Sequence, residues 1–123
     1  MIKNNVKWAL GLAACLATFN VSAGEADVLE VKVQHNGGDS FQLITTVKHD
    51  DTGWKHYANA WEVLDMQGNI IGTRVLHHPH VDEQPFTRSL RLNIPAGIKQ
   101  VQVRAIDSVH ASGGKTVVVD LPR

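Results

Sequence analysis

The feature that most constrains this chain is an alternation of apolar and polar residues with period two. Turn chemistry interrupts it at roughly eight- to twelve-residue intervals. Leu29, Val31 and Val33 alternate with Glu30 and Lys32, then His35-Asn36-Gly37-Gly38-Asp39 turns the chain. Phe41, Leu43, Thr45 and Val47 alternate with Gln42, Thr46 and Lys48, and His49-Asp50-Asp51-Thr52-Gly53 breaks the run. Residues 58–64 form a third strand with Trp61 and Val63 on one face. A tight turn at Met66-Gln67-Gly68-Asn69 leads into a fourth strand over 70–76. Pro79 and Pro85 forbid regular pairing, so 77–87 reads as a loop. Leu90, Leu92 and Ile94 mark a fifth strand, Val101, Val103 and Ala105 a sixth, and Val117, Val119 and Leu121 a seventh. No stretch after residue 23 has a helical period.

The pattern predicts an all-β domain, a seven-stranded antiparallel β-sandwich. Seven short strands in about 100 residues, with a Trp on the third, resemble an immunoglobulin or fibronectin type III domain. The immunoglobulin Cys pair is absent, so the fibronectin-type variant fits better. The resemblance is one of fold and implies no function.

Residues 1–23 read as a secretory signal peptide. Lys3 and Lys7 give a positive start, Trp8 to Phe19 is mostly apolar, and Val21-Ser22-Ala23 ends in small residues suited to cleavage. The run is too short and too weakly apolar to anchor the chain as a membrane span. Cleavage after Ala23 leaves one domain, Gly24–Arg123. The alternative is a lipoprotein: Leu12-Ala13-Ala14-Cys15 resembles a lipobox, although the apolar run continues past Cys15. Cys15 is the single cysteine, so the exported domain has no disulfide and no thiolate. A periplasmic or secreted bacterial protein is expected, with a protein partner in the periplasm as one expectation.

Without Lys3 and Lys7, the 12 basic residues become 10 against 12 acidic ones, a net charge of −2. The domain has no basic stripe, which argues against nucleic acid as a partner. It has instead seven histidines, three of them in His77-His78-Pro79-His80, followed by Asp82 and Glu83. On an up-and-down path through the sandwich, loops 49–57, 77–87 and 110–114 share one end. His49, His56, His77, His78, His80 and His110 gather there, and His35 lies at the other end.

Imidazole and carboxylate together suit zinc or copper(II). Met66 is the one methionine after the signal segment, so copper(I) has few soft ligands. Pro79 holds its neighbourhood extended, which puts His78 and His80 on one side, able to reach one ion. These two are the leading ligand candidates, with His77, His110, His49 and His56 to complete the set. The competing reading is that His-His-Pro-His fastens a long loop through hydrogen bonds. Asp107 shares the parity of buried Val101, Val103 and Ala105. It reads as a structural acceptor for loop amides or an Arg, or as a carboxylate orienting a ligand imidazole. Asp82 and Glu83 are further candidates for that supporting role. A metal-free binding module is the second functional hypothesis, with Trp54, Tyr57 and Phe86 as loop-end anchors. A hydrolase is disfavoured: Asp107, Ser108 and His110 are adjacent, but no nucleophile elbow is present.

Overall fold

The computed structural model describes residues 24–123. The expected signal segment, with Cys15, lies outside the described residues. Seven strands form: β1 (Asp27–His35), β2 (Ser40–Lys48), β3 (Ala58–Leu64), β4 (Ile70–Val75), β5 (Phe86–Asn93), β6 (Gln100–Asp107) and β7 (Val117–Asp120). They make two antiparallel sheets, ordered β1-β2-β5 and β4-β3-β6-β7. The expected β-sandwich is the observed fold, and β4 pairs with β3, as in the fibronectin-type variant. Among the described residues no helix is long and apolar enough to cross a membrane.

The inward-facing residues of the two sheets meet in one core. Trp61, Phe41, Phe86, Leu43, Val63, Val101 and Val103 are all essentially inaccessible to water. Each buried Phe or Leu side chain contributes about 1.5–3 kcal/mol of hydrophobic stabilisation. Two departures from the simple alternation have local causes. In β1, Val28 pairs with Val47 and Glu30 with Thr46, so Leu29 is the extra residue of a bulge. The bulge turns Leu29 outward and seats Val28 in the core instead. β5 begins at Phe86, inside the stretch expected to be loop. The two prolines block pairing only as far as Pro85, and Phe86 already pairs with Val47.

Chain path decides where the loops fall. Loop 49–57 carries the chain from one sheet to the other, and loop 76–85 carries it back. Segment 108–116 closes the β6–β7 hairpin. Bonds between these loops show that they share one end. Asp51 accepts from the His80 amide at 2.6 Å, and the Ser108 amide donates to the Tyr57 carbonyl at 2.9 Å.

Candidate metal centre

Strand alternation builds the centre of this end. On β2, Phe41, Leu43, Thr45 and Val47 face inward; the next inward position is His49, one residue beyond the strand, and it is buried. On β6, Val101, Val103 and Ala105 face inward and Asp107 follows, also buried. The strands belong to opposite sheets, so the two side chains meet where the sandwich opens. His49 Nε2 lies 3.7 Å from Asp107 Oδ2. His56 joins them from the β2–β3 loop, where its backbone bridges to Gly53. His56 Nε2 is 3.2 Å from His49 Nε2 and 3.6 Å from Asp107 Oδ1.

The two ring nitrogens and the carboxylate lie close enough to face one ion. Ligands at 2.0–2.1 Å in a tetrahedron are about 3.3 Å apart; the two Nε2 atoms are 3.2 Å apart, and each has a different Asp107 oxygen as its neighbour, Oδ2 at 3.7 Å from His49 and Oδ1 at 3.6 Å from His56. The three residues form a group able to hold a metal ion. His110 borders it. Its ring lies 5.0 Å from that of His56, and its Nδ1 is 3.2 Å from Asp107 Oδ2. Asp107 also accepts the amides of Val109 at 2.8 Å and His110 at 2.5 Å. Burial pushes the Asp107 carboxyl up, but the His110 and Val109 amides and the His110 imidazole outweigh it. The carboxyl is held below its ordinary value.

Asp51 stands behind His49. Its Oδ1 is 2.6 Å from His49 Nδ1 and accepts the Ala58 amide at 3.0 Å, while Oδ2 accepts the His80 amide. A carboxylate at Nδ1 keeps the proton on that nitrogen and leaves Nε2, the nitrogen facing His56 and Asp107, with a free lone pair. Gln84 fixes the same segment. Its side chain accepts the His49 amide at 3.0 Å and donates to the His80 carbonyl at 2.9 Å.

The remaining expected residues fall elsewhere. His78 and His80 do lie on one side, with ring centroids 4.7 Å apart, but among the described residues the group of three donors able to hold an ion is His49, His56 and Asp107, not one that includes them. His80 is buried and stacked on Phe86 at 3.9 Å, and its Nε2 lies 3.0 Å from Arg88 Nη2. Burial, then the Arg88 guanidinium and then His78, lower its pKa. A nitrogen facing a guanidinium is poorly placed to take a cation. His78 Nδ1 donates to the Pro79 carbonyl at 3.0 Å, and His77 is exposed. Within His-His-Pro-His, the His78 ring bonds the adjacent Pro79 carbonyl and the His80 amide bonds Asp51. Asp82 and Glu83 are exposed; Glu83 meets Arg88 at 3.4 Å and neither approaches the cluster. Asp107, expected to orient or to brace, lies in the group with His49 and His56, and the carboxylate at His49 Nδ1 is Asp51. His35 stacks on Phe41 at the far end.

Among the expected anchors, Phe86 is corrected to a core residue, 1 % exposed, because it opens β5 on an inward-facing position. Trp54 is 67 % exposed, with Tyr57 edge-on to it at 5.6 Å.

No protein-family model matches the chain. A Halomicrobium mukohataei protein named "Putative lipoprotein" is 39% identical to it over 103 residues, 84% of this chain. The chain spans about half, 51%, of the length of that curated relative. A hypothetical protein from Pyrococcus horikoshii OT3, known from its crystal structure, is similar in fold at a TM-score of 0.54. The likeness covers 81% of this chain and 92% of that one, at 14% sequence identity.

Proposed function

We propose that this is an exported β-sandwich protein that binds a transition metal ion, zinc or copper(II), at His49, His56 and Asp107, with His110 at the rim. The name of the Halomicrobium relative and the signal-like first 23 residues support export. The observation that carries the metal reading is charge. Asp51 and Asp107 are buried, and among the described residues their ion-pair partners are histidines alone. Burying carboxylates without compensating cations is costly. A divalent ion between His49, His56 and Asp107 supplies the missing positive charge. Two imidazoles and a carboxylate suit zinc and copper(II), and no thiolate or thioether is among these donors to favour copper(I).

The test is titration of metal-free protein with zinc and copper(II), beside a His49→Ala/His56→Ala variant and a His77→Ala/His78→Ala variant. Tight one-to-one binding lost in the first variant and kept in the second is expected. Binding no tighter than that of surface histidines, or equal loss in both variants, refutes the assignment. Exposed Trp54, with half-buried Tyr57 edge-on to it, favours a second reading, a protein partner docking at the same end. Under that reading Trp54→Ala abolishes capture of the partner and leaves metal content unchanged.

A further inference from the structure

The segment that enters β1 crosses the open side of the histidine cluster. The Gly24 carbonyl oxygen lies 3.1 Å from His49 Nε2 and 3.0 Å from His56 Nε2. Glycines allow the segment to lie this close. A Cβ on Gly24 would run into the His110 ring, and one on Gly114 would run into the Ala26 carbonyl. Beyond these contacts, the Lys115 amide donates to Asp27 Oδ1 at 2.7 Å, and the Val28 amide donates to the Lys115 carbonyl at 2.8 Å. Residues 24–28 are thus pinned along the 110–115 loop and across the cluster.

A carbonyl oxygen can serve as a metal donor, and the Gly24 oxygen faces both imidazole nitrogens of the cluster at once, at 3.1 Å from His49 Nε2 and 3.0 Å from His56 Nε2. Neighbouring donors around a tetrahedral ion at 2.0–2.1 Å are separated by about 3.3 Å, and the Gly24 contacts lie within a few tenths of an ångström of that.

We propose that the Gly24 carbonyl is a donor of the metal site and that residues 24–27 form a strap that retains the ion. This rests on the metal-binding reading of the cluster. The full donor set then has two imidazole nitrogens, a carboxylate oxygen and a carbonyl oxygen, a borderline-to-hard set that favours zinc and copper(II) over copper(I).

The experiment uses copper(II)-loaded protein with its glycines labelled with ¹³C at the carbonyl carbon. Hyperfine spectroscopy then asks whether a ¹³C nucleus couples to the copper. Coupling in the wild type that disappears in Gly24→Ala is expected. Alanine keeps a carbonyl at position 24, but its Cβ meets the His110 ring and pushes the segment off the donors; displacing a ligand should cost at least what losing an outer hydrogen-bond partner costs, about tenfold. Zinc and copper release to a chelator should therefore be at least about tenfold faster in Gly24→Ala. Gly114→Ala, which lifts the strap at a distance from the donors, should also release faster. A wild type that binds metal through His49 and His56 but shows no ¹³C coupling overturns the strap donor and leaves the site standing. Unchanged release in both glycine variants likewise overturns the strap. A wild type with no tight binding overturns the site and the strap together.

Discussion

Asp51→Asn is the most informative single change, because geometry leaves the new side chain no satisfactory orientation. Asp51 receives three N–H groups. Oδ1 takes His49 Nδ1 and the Ala58 amide, and Oδ2 takes the His80 amide. Asparagine offers one acceptor oxygen and one NH2 group. With its oxygen at the Oδ1 place, the NH2 group faces the His80 amide, donor against donor. With the oxygen at the Oδ2 place, the NH2 group faces the Ala58 amide and donates to His49 Nδ1. That second orientation moves the His49 proton to Nε2 and removes its lone pair from the site. Either orientation leaves a buried N–H unpaired, which costs about 1–3 kcal/mol. For a domain of this size that lowers Tm by at least about 4 °C in the metal-free protein. Metal affinity should fall about 10–100-fold, the range for losing the partner that orients a ligand histidine. Loss of a buried negative charge acts in the same direction. The assays are thermal unfolding of metal-free protein and zinc competition against a chromophoric chelator. A variant with wild-type Tm and wild-type affinity refutes the reasoning, because it means that neither the bonds nor the tautomer matters.

Other outcomes follow from the same geometry. His80 has a lowered pKa in the fold, so the unfolded chain takes up its proton first as pH falls below about 6.5. Its contribution is therefore complete above that pH and lost as pH falls toward the folded-state value. In denaturant titrations of metal-free protein, His80→Phe should show a smaller loss of stability between pH 7 and 5 than the wild type; an identical pH slope rules this account out. Phe86→Ala should cost about 3–5 kcal/mol, because it empties a core site and removes the surface on which His80 stacks. A loss below about 1 kcal/mol in chemical denaturation contradicts the packing described. Zinc at a hundredfold excess over its Kd should add ~2.7 kcal/mol, or roughly 10–20 °C in Tm. Chelator should reverse that shift, and its absence in calorimetry counts against the site.

The fold was legible because each strand buries one face, so period two survives in the residues. β3 begins and ends at the expected positions, Ala58 and Leu64. The two misread places are those where backbone geometry overrides local pattern. The extra residue of a bulge cannot be seen in alternation alone, because Leu29 looks like a continuation of Val31 and Val33. The start of β5 depends on pairing with Val47, a partner about 40 residues away in sequence, and two prolines masked it.

The location and the candidate residues of the site were legible, but not their ranking: density of histidines put His78 and His80 first, whereas the residues grouped in the structure are His49, His56 and Asp107. His77-His78-Pro79-His80 draws the eye because its residues are adjacent in sequence, yet a binding site needs donors converging from different elements. Parity was the better signal. Phe41, Leu43, Thr45 and Val47 project an inward position onto His49, just as Val101, Val103 and Ala105 project one onto Asp107. A histidine one residue past β2 and an aspartate at the last position of β6 each continue a buried alternation, on opposite sheets at the same end, and meet in the interior. There they need a partner in a way that solvated loop histidines do not. Two contributions could not be foreseen by any count of residue types. One is the Gly24 carbonyl, a backbone group. The other is Asp51, whose role depends on the path of the loop around it. Inward parity, taken one step past β2 and at the last residue of β6, ranks His49 and Asp107 ahead of the loop histidines from the sequence alone.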